Sequence, residues 1–229
     1  MRALDVGAGS GPAAVALARA GLRVAALDRE PSLLRVASHR IPTSAGRGRA
    51  YCVAGDAVAL PFGANTFELV VSTFGVMFAS DPARAATELV RVCRPGGVIA
   101  VASWTPEGTM RQIAPTVLAH LDRPGSSPSP MRWGDAGWVC TWFAPLPTDL
   151  HLSVRQVLMR YDSVEHAVRA FENKPRPLRA HRAALRAAGR WKQARAALSR
   201  LFEDGNEADD GSSLLRIPYL FLIGHVRET

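Results

Sequence analysis

Short apolar runs alternate with amphipathic stretches along the first hundred residues. Ala3–Val6, Leu22–Leu27, Ala50–Ala54, Phe67–Ser72 and Val98–Ser103 are almost continuously apolar or small. That is the mark of strands buried on both faces. Between them the period lengthens. Ala13–Ala20 is rich in helix formers and closes at Gly21, and Pro31 opens a helix striped by Leu33, Leu34 and Ala37. Asp81-Pro82 caps another, on which Ala86, Leu89, Val90 and Cys93 recur at i, i+3, i+4, i+7. Residues 42–49 read as a loop, and Arg94-Pro95-Gly96-Gly97 as the turn that ends the last helix. Strand and helix in alternation predict a parallel α/β sheet.

Beyond residue 104 the pattern is looser. A helix is predicted over Thr109–Leu121, a Pro/Ser loop over Gly125–Pro130 and a sixth strand over Leu152–Tyr161. Residues 163–204 read as helical, broken at Pro175 and Pro177. Ile217–Val226 is apolar nearly throughout, as a strand inserted into a sheet would be. The whole is expected to be a single domain over 1–229, with residues 1–103 as one half and 104–229 as the other.

Composition adds two points. The net charge of +8 is concentrated in residues 169–200, which hold ten Lys or Arg against the single acid Glu172. Such a stretch reads as a solvated helix face or as a patch for nucleic acid, and Phe171 and Trp191 are too few for base stacking. Cys52, Cys93 and Cys140 are widely spaced and without metal-ligand spacing, so reduced core thiols in a cytoplasmic chain are expected. No stretch reaches the ~20 apolar residues of a membrane span. Met1-Arg2-Ala3 leads straight into the first strand, so neither a signal peptide nor a transit peptide is expected. The six histidines are scattered, so no metal site is expected.

The chemistry gathers at Leu4-Asp5-Val6-Gly7-Ala8-Gly9-Ser10-Gly11-Pro12. A strand, a turn with glycine at alternate positions and a Pro-initiated helix offer backbone N–H groups to a ligand. A dinucleotide fingerprint would need a third glycine where Pro12 stands. No phosphate-binding G-x-x-x-x-G-K-[ST] occurs either.

The spacing Asp5-x-Gly7-x-Gly9-x-Gly11 resembles the first motif of the class I S-adenosylmethionine-dependent methyltransferases. Three further matches follow in order. Asp28, at the tip of the second strand, stands where the family's acidic residue takes the ribose hydroxyls; its other reading is a helix-capping role ahead of Pro31. Gly55-Asp56-Ala57 with Leu60-Pro61-Phe62 resembles the segment that meets the adenine amino group and ring nitrogen, though Asp56 also suits a simple turn. Phe67–Ser72 with Thr73-Phe74-Gly75-Val76-Met77-Phe78 is similar to the fourth motif and its loop, and Arg94–Gly97 to the turn before the fifth strand. The nearest group is type 11, which includes the ubiquinone and menaquinone C-methyltransferases.

The resemblance implies a Rossmann-like three-layer α/β sandwich with a mostly parallel seven-stranded sheet, its last strand antiparallel. It implies S-adenosyl-L-methionine as cofactor, held by Asp5, Gly7, Ala8, Gly9, Gly11, Asp28, Arg29, Asp56, Ala57, Ser72 and Thr73. Phe74, Met77 and Trp104 are candidates for the acceptor pocket. Trp133, Trp138, Trp142 and Phe143 would either wall that pocket or form core. A small-molecule acceptor methylated at O, N or C by in-line displacement is expected, with catalysis chiefly by proximity. No residue stands out as a base; His120 and His151 are the candidates, or are merely structural or exposed. The fourth strand is not followed by Asn-Pro-Pro-Tyr or Asp-Pro-Pro-Tyr, and no Pro-Cys pair occurs, so base-directed nitrogen and cytosine chemistry lack their signatures. Family members carry a few tens of residues before the first strand, forming helices over the cofactor; this sequence has almost none. Either the start lies upstream or the site is more open than usual. The alternatives are a non-catalytic methyltransferase-like binding domain and an RNA-directed enzyme using the Arg-rich stretch.

Overall fold

The computed structural model describes residues 1–41, 48–121, 129–172 and 178–228, with the side chains of 178–180 left out. The expected loops at 42–49 and 125–130 fall largely outside the described residues, as do the breaks at Pro175 and Pro177.

Seven strands form one sheet: β1 (Arg2–Val6), β2 (Arg23–Asp28), β3 (Arg49–Ala54), β4 (Phe67–Thr73), β5 (Cys93–Trp104), β6 (Thr148–Tyr161) and β7 (Ser213–Val226). Their order is β3-β2-β1-β4-β5-β7-β6. The pairs from β3 through β5 are parallel, with Leu4 opposite Ala25 on one side and Val70 on the other. β7 runs the other way. Gly224 lies against Ile99, whereas Thr105 N–H donates to the Pro218 carbonyl, so β7 descends as β5 ascends. The expected Rossmann-like, mostly parallel sheet with its last strand antiparallel is the one found.

The chain divides into two compact units. The first comprises 1–103, 129–154 and 220–229; the second comprises 104–128 and 155–219. In the first, helices α1 (Pro12–Arg19), α2 (Pro31–Arg40), α3 (Pro82–Val92) and α5 (Ala136–Phe143) accompany the sheet. Where α1 meets the sheet, the core is built on small side chains. Ala14 and Ala18 of α1 pack with Ala3, Ala8, Val24 and Ala26, letting helix and sheet backbones approach closely. The strand order reverses between β1 and β4, so the loop leaving β1 sits at a topological switch point, where open α/β sheets bind ligands.

In the second unit, α4 (Thr109–Leu118), α6 (Val164–Glu172), α7 (Leu178–Ala187) and α8 (Trp191–Asp204) pack around Phe171, Leu198 and Phe202. The Phe171 and Phe202 rings meet edge to face at 5.0 Å. Much of the basic stretch is already engaged here. Arg195 pairs with Glu165 and Glu172, Arg182 lies over Trp191, and Arg190 donates to the His120 carbonyl. Arg169, Arg186, Lys192 and Arg200 are exposed.

Two expectations need correction. β5 begins at Cys93, not Val98: Cys93 pairs with Phe67, and a register shift absorbs Arg94–Gly97 before Val98 meets Leu69. The aromatic cluster divides: Trp133, ahead of α5, and Phe143 at its end are buried as core, while Trp138 on α5 is about half exposed. Among the cysteines, Cys93 is buried and Cys52 partly so, but Cys140 lies exposed on α5. All three are free thiols.

Candidate functional site

The site is built from four loops that leave the carboxyl ends of β1, β2, β3 and β4. Gly7, Gly9 and Gly11 all adopt left-handed backbone, which is why side-chain-bearing residues are avoided there. The approach at Gly7 is closer still. A β-carbon on it would lie 2.6 Å from the Cα of Gly75, in the loop after β4. One on Gly75 would lie 2.5 Å from the Gly7 carbonyl oxygen. Two backbones thus touch across the switch point, and Gly75 is a site residue that sequence reading left without a role. Its signal was a glycine directly after the strand. Over Gly9, by contrast, there is nothing within 4 Å, so this turn presents an open face.

The loop's N–H groups are mostly spoken for, which differs from the expected amide cradle. Ala8 N–H donates to Leu27 O, Gly11 N–H to Ala8 O, and Gly9 N–H to Asp28 Oδ2 at 2.9 Å. Asp28 therefore does double duty. Its Oδ1 accepts Glu30 N–H at 2.9 Å while Glu30 itself caps α2, so Asp28 ties β2 to the glycine loop instead of capping the helix. Gly55 N–H donates to the Asp28 carbonyl at 3.1 Å, which carries the start of the next loop alongside. In that loop Asp56 Oδ1 accepts Val58 N–H at 3.2 Å, the turn role foreseen for it. Its Oδ2 and the Ala57 N–H have no protein partner among the described residues. Arg29 is exposed beside Asp28.

Asp5 and Ser72 are placed under the loops, not on their open side. Asp5 is 1% exposed, and its Oδ2 accepts Ala14 N–H at 3.0 Å. Gly11 stands at the N-cap of α1 with no side chain, so Asp5 supplies the missing cap from β1. Burial pushes its carboxyl up to about 7, against the pull of the Ala14 bond, and neighbouring Asp28 adds to the rise. The folded chain thus holds a proton that the unfolded chain releases above pH 3.8. Stability should fall as pH climbs from about 4 to about 7, by on the order of 4 kcal/mol, and level off beyond. Asp5→Asn keeps an acceptor for Ala14 and cannot ionise, so its denaturant midpoint should stay flat over that range. An identical decline in wild type and variant would assign the effect to other groups.

Ser72 is 1% exposed; its hydroxyl donates to Val6 O at 2.6 Å and accepts Val76 N–H at 2.8 Å. It locks the β4 loop to the end of β1. Thr73 is exposed and Phe74, at φ 57°, is half-buried, whereas Met77 is 2% exposed and belongs to the core. Trp104 is buried at the end of β5, the first residue of the second unit. His151 is exposed on β6, and His120 is half-buried after α4. Among the described residues no three His, Cys, Asp or Glu side chains gather as a metal site, and no helix is long and apolar enough to cross a membrane.

A glycine turn at the switch point, a carboxylate on the second strand and another after the third thus lie along one edge of the sheet, where open α/β folds bind ligands. Residues 4–101 match the family model described as a methyltransferase domain, type 11. The chain is 41% identical over 150 residues to an uncharacterised protein of Mycobacterium tuberculosis, covering 65% of this chain and 54% of that one. It thus spans about half the length of this relative. To the demethylmenaquinone methyltransferase of Renibacterium salmoninarum it is 34% identical over 158 residues, 62% of this chain and 64% of the other. Among solved structures, the YcgJ protein of Bacillus subtilis superposes with a TM-score of 0.62 at 15% identity, covering 100% and 92% of the two chains. The [4+2]-cyclase SpnF does so with 0.58 at 20% identity, covering 100% and 76%. The match to a methyltransferase domain thus covers the first hundred residues, under half of the chain.

Proposed function

We propose that this chain binds S-adenosylmethionine across the loops after β1, β2 and β3 and transfers its methyl group to a small-molecule acceptor at oxygen, nitrogen or carbon. The observation that carries the reading is the pair of contacts on Asp28: Gly9 N–H on its carboxylate and Gly55 N–H on its carbonyl. They hold a ribose-binding carboxylate and the adenine-binding loop together beside the open face of Gly9. Asp28 would take the ribose hydroxyls, and the unpartnered Asp56 Oδ2 and Ala57 N–H would read one edge of adenine. The closely packed Gly7 and Gly75 would let the methionine end pass with no side chain in its path.

Bound there, the cofactor supplies a methyl group already activated by its sulfonium. What remains for the protein is alignment and exclusion of water, while the proton that the methylated oxygen, nitrogen or carbon gives up passes to solvent or to a base. Thr73 and Phe74 are the residues of the β4 loop left to border the acceptor, because Ser72 and Met77 are committed to the interior. The likeness to a demethylmenaquinone methyltransferase makes a demethylated naphthoquinol the first acceptor to test. The engaged arginines of α7 and α8 and the single Trp191, covered by Arg182, favour a small molecule over RNA.

Calorimetric titration with S-adenosylhomocysteine, followed by labelled-methyl transfer to a panel of quinols, phenols and amines, tests the reading. Binding at micromolar concentration with turnover of one acceptor class is expected. Absence of binding would overturn the cofactor assignment; binding without turnover on any acceptor would favour a binding domain, and the cyclase neighbour shows that this fold serves more than one chemistry.

A further inference from the structure

One face of α3 points at a loop, not at the core. Arg84, Glu88 and Arg91 recur at i, i+4 and i+7, so they lie in one row along the helix. Opposite them runs the segment that follows Asp56 and Ala57. Arg84 Nε donates to Val58 O at 3.3 Å, Arg91 Nη2 to Leu60 O at 3.1 Å and Arg91 Nη1 to Phe62 O at 2.8 Å. The carbonyls of alternate residues are thus each met by a guanidinium. Glu88 completes the arrangement: its Oε2 accepts Leu60 N–H at 2.7 Å, gripping the same peptide from its other side. Glu88 is 3% exposed, yet its charge is matched, since Arg91 Nε and Nη2 reach its two oxygens at 2.6 and 2.8 Å. That pairing holds the Glu88 carboxyl below the usual carboxylate range. The helix backbone joins in further on, with Asn65 N–H bonded to Arg91 O.

A buried ion pair of this kind stabilises little by itself, because desolvation offsets the attraction. An apolar pair would serve core packing as well. What an apolar pair would not do is fix an extended loop by its amides. The Val58, Ala59 and Leu60 N–H groups are all occupied by Asp56 and Glu88, which holds three successive residues of the loop in the conformation that leaves Asp56 Oδ2 and Ala57 N–H free together. We infer that the Glu88–Arg91 pair is a positioning element for adenine recognition, setting the Asp56–Ala57 edge through the peptide of Leu60.

The inference rests on the cofactor site proposed above. Its test compares S-adenosylhomocysteine with S-inosylhomocysteine, in which the exocyclic amine that Asp56 would accept is replaced by an oxygen. Wild-type protein should prefer the adenosyl compound by about tenfold or more, the loss of one hydrogen bond to a charged group. In Arg91→Lys and Glu88→Gln, each chosen to keep the helix face polar and close in size, that preference should shrink to about twofold while circular dichroism shows a folded protein. Exchange of the Leu60 amide should quicken in both variants without any ligand. A merely structural pair would lower the melting temperature and leave the preference intact, which would overturn the inference. Failure of wild type to bind either compound would instead remove the cofactor site itself, and unchanged Leu60 exchange in the variants would then count separately against the clamp. Should one variant not fold, the other decides.

Discussion

Asp28→Ala is expected to abolish detectable binding of S-adenosylmethionine in calorimetry while the chain still folds. Both carboxylate oxygens already work within the protein, on Gly9 N–H and Glu30 N–H. Each keeps a second lone pair for a ribose hydroxyl. If Asp28 takes the ribose hydroxyls as proposed, removing the group deletes two charge-assisted bonds to the cofactor, each about 1.5–3 kcal/mol, and releases the glycine turn from its tether. A loss of about 3–6 kcal/mol is a drop of roughly 10²–10⁴-fold in affinity, enough to pass out of range for a micromolar binder. Asp28→Asn, which keeps an acceptor for Gly9, should fall between. A second readout comes from Asp5, whose carboxyl is raised in part by the Asp28 charge. Without that charge the decline in stability should centre at lower pH. Tight binding retained in Asp28→Ala would sink the assignment of this carboxylate to the cofactor.

Gly75→Ala carries the largest expected effect on the fold. Its backbone would tolerate a side chain, as no left-handed conformation is required of it; what forbids one is space. The added carbon would meet Gly7 O at 2.5 Å, Gly7 Cα at 2.7 Å and Val6 O at 2.8 Å, all of them backbone. None of these can rotate aside, and Ser72 pins the same two loops through Val6 O and Val76 N–H. The loops must part, at about 3 kcal/mol or more, and the surface between them changes with them. Gly9→Ala is the matched control. It adds a methyl group to open space at φ 58°, costing about 1 kcal/mol of strain, yet the new side chain stands on the face left for the cofactor. Urea melts should therefore separate the two: a large drop in midpoint for Gly75→Ala, a small one for Gly9→Ala. Equal stability of Gly75→Ala and wild type would show that the two loops can separate freely.

The central strands β1 and β2 were legible because each is a run of apolar residues buried on both faces, whereas β3 and β6, at the two edges of the sheet, hold no buried residue despite their apolar runs. The glycine turn was legible because positive φ excludes most other residues. The start of β5 was not. Arg94-Pro95-Gly96-Gly97 carries every local sign of a turn, but Phe67 on β4 pairs with Cys93 and draws the segment into the sheet as an irregularity. Glu88 likewise reads as the polar interruption of an amphipathic helix. Only the arrival of Leu60, twenty-eight positions away, turns it into a ligand of the loop backbone.

By itself, then, the sequence determined the order of strands and helices, the resemblance to a methyltransferase domain over the first hundred residues, and the positions at which carboxylates and glycines reach the carboxyl edge of the sheet. These follow from the burial of each element and from local backbone sterics. Which of those polar groups turns outward was decided by tertiary structure alone. Asp5 looked like a ligand group and is the cap of a helix nine positions on; Ser72 looked like another and bonds Val6, sixty-six positions away. A carboxylate or hydroxyl near the loop is drawn to the nearest unpaired backbone group, because leaving that group buried without a partner costs about 1–3 kcal/mol. Asp28 also ties backbone amides, but remains half-exposed with lone pairs to spare, and Asp56 keeps Oδ2 free beside Ala57 N–H.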